Sequence, residues 1–526
     1  MHESPYWDPY RVDITQNPYP FFKRLREEAP LYYNEEYDFY AVSRYDDVKR
    51  GLSEHQTFIS SRGGILELMR AGVEIPKGVF IFEDPPLHTV HRGIVARMFT
   101  PRRINGLEEQ IRALTRRTLD RLVGREEIDF IADVGAVIPM AVIGMLLGIP
   151  EEDQQRVRQI TDARMRTKEA GKPLDYSSGF QLAMGFEEYL DWRAEHPSDD
   201  VMTELLNVEF TDEQGVRRKL TREELVTFCN VLAGAGNETT NRLIGWTAKV
   251  LAEHPDQRRL LLEQPELIPD AIEEVLRFEP PAPHVGRWIA RDTEFQGQRV
   301  PAGKPLMCLV GAANRDEEKF PDGERFDIRR ERRVPHLTFG TGIHTCIGNV
   351  LARMEGRIVL EELLARFPEW EVDLERARLI QTSTVRGWET LPAWVGKGPR
   401  RSVHPAPNPA EETAGTEGDA PPSHIAGAWR IVVQGPTGPM PTTLRLVDRD
   451  GALMGEQSGE GGTSPVEGAS YDPATGEIRW QNRIERPMRL TAHFSGTVRG
   501  GRMAGEVKVG FIGKFPFTGE RLEEGA

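Results

Sequence analysis

Along residues 1 to about 398, apolar positions recur at the spacing of helices that bury one face. The runs 107–123, 221–252 and 347–365 are clear cases, and their 3.6-residue period predicts amphipathic helices. Residues 134–149 are more uniformly apolar. That stretch is short for a membrane span, is broken by Pro139 and carries Gly135, Gly144 and Gly148, so it predicts a buried core helix. Strand-like pieces at 39–43, 293–295 and 305–310 lie between the helices. Residues 399–424 hold Pro, Ala, Gly and Glu with almost no large apolar side chain, the composition of a flexible linker. Beyond them the period changes to two. Short alternating runs at 429–433, 443–447, 477–480, 489–494 and 505–509 are set apart by turn pairs such as Asp450-Gly451, Thr475-Gly476 and Gly500-Gly501, which predicts an antiparallel sandwich or barrel. The expected architecture is a mainly α domain with small β-sheets over 1–398, a linker over 399–424, and a small all-β, barrel-like domain over 425–526.

Composition narrows the function. A chain of 526 residues is too long for one ordinary core. Its net charge of -15 argues against nucleic acid as a partner. The three cysteines, Cys229, Cys308 and Cys346, do not make a disulfide framework and fit a reducing, cytoplasmic setting. The first residues, Met-His-Glu-Ser-Pro-Tyr-Trp-Asp, lack the basic-then-apolar pattern of a signal peptide.

The most informative segment is Phe339-Gly-Thr-Gly-Ile-His-Thr-Cys-Ile-Gly348. Glycine permits tight turns and the close approach of a planar group. Cys346 also stands just before a helical run, where a helix N-terminus favours a thiolate. A free cysteine taken alone is more often a small buried hydrophobe; the glycines and Phe339 weigh against that here. The pattern Phe-Gly-x-Gly-x-His-x-Cys-x-Gly resembles the haem-binding loop of the cytochrome P450 monooxygenases. The resemblance implies that Cys346 is the axial ligand of the iron of haem b, with Phe339, Gly340 and Gly348 shaping the loop and His344 directed at a haem propionate. A thiolate ligand donates electron density that favours O–O cleavage.

Other segments match the same family in order. Glu274-Val-Leu-Arg277 places an acid and a guanidinium on one helix face; in the family such a pair locks the chain beneath the haem. Ala233-Gly-Ala-Gly-Asn-Glu-Thr-Thr240 lies inside a long helix. Interior glycine costs about 1 kcal/mol relative to alanine, so it needs a reason: room at Ala235 and Gly236 for a flat cofactor and dioxygen, or close helix–helix packing. Glu238-Thr239 is similar to the family's acid–alcohol pair, with Thr239 hydrogen-bonding dioxygen and Glu238 relaying protons from solvent. His88 and Arg92, four apart on one helix face after Asp84-Pro-Pro, resemble the family's propionate ligands, and Arg287 after Pro280-Pro-Ala-Pro is matched to another. The resemblance covers nearly all of residues 5–396.

Electrons, substrate and tail remain. No cysteine follows Cys346, so the tail holds no cysteine-ligated cluster, and no flavin or nicotinamide fingerprint is evident. The resemblance therefore implies a separate ferredoxin and ferredoxin reductase, with NAD(P)H used indirectly and O2 as co-substrate. Arg102, Arg103, Arg329, Arg330, Arg332 and Arg333 are expected either to steer an acidic ferredoxin or to form a solvated charged loop. Ile65, Leu66, Leu68, Met69, Leu232 and Val285 are expected to wall a pocket for a lipophilic substrate, with plain core as the alternative. In the tail, Gly427-Ala-Trp429 and Arg521 are similar to the Gly-x-Trp start and late arginine of lipocalin-like barrels, which leaves a structural barrel, a ligand carrier or a docking module open. Competing readings of the whole are a peroxide-driven oxygenase and a non-enzymatic haem-thiolate sensor.

Overall fold

The computed structural model describes residues 4–149, 176, 186–380 and 382–396, and then 425–435, 438–449, 452–459, 462–473, 475–484, 490–499, 501–509 and 513–522. The expected linker at 399–424 lies outside the described residues, as do the turn residues Asp450, Gly451 and Gly500. The chain divides into two compact units, Met1–Arg400 and Arg401–Ala526.

The first unit is built around the 32-residue helix Arg222–Glu253, about 48 Å long at 1.5 Å per residue. Its start is fixed by a reciprocal cap. The Thr221 hydroxyl accepts the Glu224 N–H, and the Glu224 carboxylate accepts the Thr221 N–H at 2.8 Å. Almost every turn of it is buried, through Leu225, Phe228, Leu232, Leu243, Trp246 and Leu251, because the helices Ile138–Leu147, Ile268–Phe278 and Asn349–Arg366 pack against it. The apolar stretch expected as a core helix is Ile138–Leu147. Pro139 opens this helix, where its missing N–H costs nothing, and Gly148 ends it at φ +79°. The segment Phe130–Leu147 is long and apolar enough to cross a membrane, yet 78% of it is buried inside the protein. A five-stranded sheet flanks the helices in the order Leu31–Asn34, Phe39–Val42, Pro305–Cys308, Val285–Ile289, Phe58–Ile59. Its inner pair, Pro305–Cys308 on Val285–Ile289, is antiparallel and carries Arg287.

The second unit is a closed barrel of eight antiparallel strands, Gly427–Gly435, Gly438–Arg449, Ala452–Gly459, Gly462–Tyr471, Glu477–Ile484, Leu490–Arg499, Arg502–Val509 and Gly513–Arg521. Inward positions alternate along the strands, interrupted by register shifts where Gly462–Tyr471 meets its neighbours, and Trp429, Leu444, Ile478, Trp480, Phe494, Val507 and Phe517 fill the interior. Trp480 stacks on Phe494 at 4.5 Å, and Phe517 meets both rings edge-on. Trp429 and Arg521 are cross-strand partners, with the guanidinium 5.6 Å over the indole.

Candidate active site

The cysteine loop is held by its backbone. The Cys346 N–H donates to the Phe339 carbonyl at 2.8 Å, and the Gly340 N–H to Leu337 at 2.8 Å. Gly340 and Gly342 take φ of +65° and +74°, and a Cβ on Gly342 would stand 2.9 Å from the Ser53 Cα; both positions require glycine. Nothing lies within 4 Å of where a Gly348 Cβ would be. Arg353 covers the Phe339 ring at 4.4 Å and forks onto Glu273. The helix following the loop begins at Asn349. Its start does not lower the Cys346 thiol overall. Burial pushes the thiol up, and the Gly348 N–H with Arg92 and Arg353 only opposes that rise.

The loop rests on a buried lock. Glu274 and Arg277 form a two-bond pair at 2.7 and 2.8 Å, and Arg277 also donates to the carbonyls of Asn314, Gly323 and Arg325. Asn314 passes the constraint on, accepting the Leu337 N–H at 2.7 Å and donating to Thr338 at 2.9 Å.

On the long helix, Ala235 is exposed and Gly236 and Thr239 are half-buried, while the turns on either side are buried. That one turn in mid-helix therefore keeps accessible surface. The Thr239 hydroxyl donates to the Ala235 carbonyl at 2.8 Å. Gly236 serves helix packing, since a Cβ there would stand 3.0 Å from Ile143 of the neighbouring helix. Glu238 differs from expectation. It is not a solvent-facing relay acid: it is 1% exposed, and one carboxylate oxygen is taken by Arg242 in a buried ion pair. Arg242 in turn donates to the Trp388 carbonyl at 2.5 Å.

His88, Arg92, Arg287 and His344 converge. The rings of His88 and His344 lie 4.3 Å apart, and the Nε2 atoms of both are buried without a hydrogen-bond partner. Burial, with Arg287, His88 and Arg92 nearby, pulls His344 down to about 3. Burial and the adjacent Arg92 also lower His88. Among the described residues neither Arg92 nor Arg287 has an ion pair; Arg92 donates to the Thr345 carbonyl and Arg287 to Gly286. A cluster of donors and cations with orphaned ring nitrogens and no paired acid calls for a ligand with carboxylates. Together with the open loop at Gly348 and the open turn at Ala235, these residues fit a haem with its propionates. Sequence reasoning missed three members of this neighbourhood: His55, whose charge also reaches His344, and the pair Arg353 and Glu273. The spacing of Arg353 from Cys346 was a usable signal; His55 is brought in only by the fold.

Two expectations need correction. Leu66 and Met69 lie in a core cluster with Tyr10 and Phe22, Leu68 is 1% exposed, and Leu232 belongs to the main core. Side chains lining open space would keep some accessible surface, and of the six expected wall residues only Ile65 and Val285 are half-buried. The arginines expected either to steer an acidic ferredoxin or to form a solvated charged loop mostly have side-chain partners. Arg103 pairs with Glu204, Arg332 with Asp270 and Arg333 with Glu331, Arg329 donates to Gln264, and Arg330 is buried against Glu274. Among the described residues Arg102 alone of the six has no side-chain partner.

Comparison with known proteins agrees with this geometry. A family model described as cytochrome P450 matches residues 153–387. The vitamin D(3) 25-hydroxylase of Pseudonocardia autotrophica is 35% identical over 396 residues, covering 74% of this chain and 96% of that one. Cytochrome P450 130 of Mycobacterium tuberculosis is 34% identical over 379 residues, covering 69% and 91%. The structure of a mutant of P450 EryK in complex with erythromycin B superposes with a TM-score of 0.65 at 31% identity, covering 75% of this chain and all of that one. The loop at Cys346, the lock beneath it and these likenesses agree: the chain belongs to the cytochrome P450 family of haem-dependent monooxygenases.

Proposed function

We propose that this monooxygenase inserts one atom of O2 into a lipophilic substrate of steroid, terpenoid, fatty-acyl or polyketide-like type, in the cytoplasm, with electrons from NAD(P)H arriving through a ferredoxin reductase and a separate ferredoxin. The observation that carries the reading is Cys346 on its open glycine loop, beside a cluster of donors in which, among the described residues, neither Arg92 nor Arg287 has an ion pair. Cys346 would be the residue that holds the haem iron through its sulfur; His88, Arg92, Arg287 and His344 would hold the propionates. Bound there, the haem supplies the activation of dioxygen. The protein's part is positional. The Thr239 hydroxyl, now on the Ala235 carbonyl at 2.8 Å, reaches the open turn by rotating about one bond and can hold a proton there. Glu238 and Arg242 neutralise each other behind it, so a charged acid does not face an apolar substrate. A relative named for vitamin D(3) and a neighbour holding erythromycin B support a large, mostly apolar substrate.

The test is the difference spectrum of the reduced protein with carbon monoxide. A thiolate-type Soret band is expected, and Cys346→Ser should abolish it. An imidazole-type band, or a serine variant with an unchanged spectrum, defeats the reading. A screen of lipophilic compounds for a spin-state shift then finds the substrate class. One observation favours a second reading, a peroxide-driven oxygenase: Glu238 is tied to Arg242 rather than free to relay protons. Turnover with hydrogen peroxide that exceeds turnover with ferredoxin would select it.

A further inference from the structure

The barrel carries a row of charge that its own fold does not explain. On its outer wall Arg499 stands opposite Arg502, Arg502 opposite Glu520, and Glu520 opposite Arg430, across four adjacent strands. All four side chains are exposed. Like charges directly opposite on one face of an antiparallel pair repel, and here Arg499 and Arg502 flank the same hairpin turn. Among the described residues none of these three arginines has an ion pair or a side-chain hydrogen bond. Residues 425–526 hold equal numbers of basic and acidic side chains, so the row is a local concentration of positive charge.

The neighbouring row is made of small side chains. Thr497, Ala504 and Thr518 are cross-strand partners on the same face, and they leave a groove of about 630 Å³ beside the arginines. Four strands at the usual spacing set the row at about 14 Å. That is too long for one small anion, and the strand amides beneath are already paired in the ladder. The row matches several carboxylates spread over a protein surface. Its excess of two positive charges is too small for a nucleic-acid backbone.

We propose that this wall of the barrel docks an acidic electron-carrier protein and so keeps it on the same chain as the catalytic unit. The inference rests on the reading above, that electrons come from a separate ferredoxin. It gives the tail a use that fits the catalytic unit, where the arginines expected to receive such a carrier are largely occupied by Glu204, Asp270, Glu274 and Glu331. A carrier held on the same chain reaches its site at a raised effective concentration, and an exposed charged row acts chiefly on the rate of association.

The experiment compares the full-length holoenzyme with its Arg430→Glu/Arg499→Glu/Arg502→Glu variant, using a plant-type [2Fe–2S] ferredoxin and its NADPH reductase at 50 and 200 mM salt. At low salt the variant's KM for ferredoxin should rise about tenfold, with kcat at saturation unchanged and the salt dependence flattened. Its carbon monoxide difference spectrum and peroxide-supported turnover should match the parent's. The milder Arg→Gln triple variant should fall between the two, which guards against a barrel that fails to fold. An unchanged KM in both variants, while the parent turns over with ferredoxin, overturns the docking proposal and leaves the monooxygenase reading intact. A parent that takes no electrons from ferredoxin but turns over with peroxide overturns both at the level of the reading beneath. Binding of the wall to anionic vesicles or inorganic phosphate with no change in ferredoxin KM also counts against it.

Discussion

Arg277 donates every N–H it has: Nε and one Nη2 hydrogen to Glu274, both Nη1 hydrogens to the carbonyls of Asn314 and Gly323, and the last to Arg325. A guanidinium supplies five donors in a fixed fork, and lysine supplies three from one point. Arg277→Lys should therefore destabilise the fold by about 1–3 kcal/mol, the cost of leaving buried carbonyls without a donor, read as a shift of the urea midpoint together with loss of haem on purification. The Glu238–Arg242 pair makes a sharper test. Arg242→Leu strands a buried carboxylate and should cost about 3–5 kcal/mol. Adding Glu238→Leu should return most of that loss, because two apolar side chains need no partner. If the double variant is no more stable than Arg242→Leu in the same urea titration, the pair is not what holds this turn. Both pairs were legible as acid and arginine one helical turn apart. Glu274 and Arg277 keep that pairing in the fold. Glu238 pairs along the chain with Thr239 in the family pattern, whereas in the fold its partner is Arg242, four residues on.

At the scale of elements, helix ends and loops follow local chemistry closely. The Thr221–Glu224 cap, Pro139 at a helix start and the positive φ of Gly340 and Gly342 are each what those residues favour. The join between the Ile268–Phe278 helix and the cysteine loop depends on Glu273, which accepts from Arg353 and lies 3.3 Å from His336. Burial alone would raise its pKa, but His336 and Arg353 hold it down to about 2. A depressed carboxylate stabilises the fold above its ordinary value near 4.5 and loses that contribution as pH falls toward 2. Glu273→Gln should thus be less stable than the parent at pH 6 by up to about 3 kcal/mol, and the gap should close between pH 4.5 and 2. A gap that stays constant through that window in chemical denaturation would contradict the assignment. Two barrel strands, Ala452–Gly459 and Gly462–Tyr471, left no clear trace in the alternation. Gly455 and Gly459 in the first, and Gly462 and Gly468 in the second, replace the large residues that would have marked it, and the strands are held mainly by backbone pairing to their neighbours.

For the whole molecule, each unit has its own apolar core: the clusters around Phe228, Trp7 and Phe58 in one, and that around Trp480 in the other. A chain ending at residue 398 is expected to fold, bind haem and give the same carbon monoxide spectrum and substrate spin shift as the full protein. Loss of the spectrum on truncation would show that the catalytic unit depends on the barrel. The sequence by itself determined the features whose chemistry is local: the glycine-flanked cysteine loop, the helix caps, the Glu274–Arg277 pair, and the change from helical to alternating period. Glycine's backbone freedom and the 3.6-residue turn act within a few residues, so they can be read along the chain. Only the tertiary structure decided which side chains meet across it. It buried Leu66 and Met69 in the core, gave most of the arginines near 330 side-chain partners, brought His55 toward His344, and set Arg430 in line with Arg499 and Arg502. Those outcomes depend on which surfaces pack together and on which charges must then find partners, and neither is encoded within the span of one element.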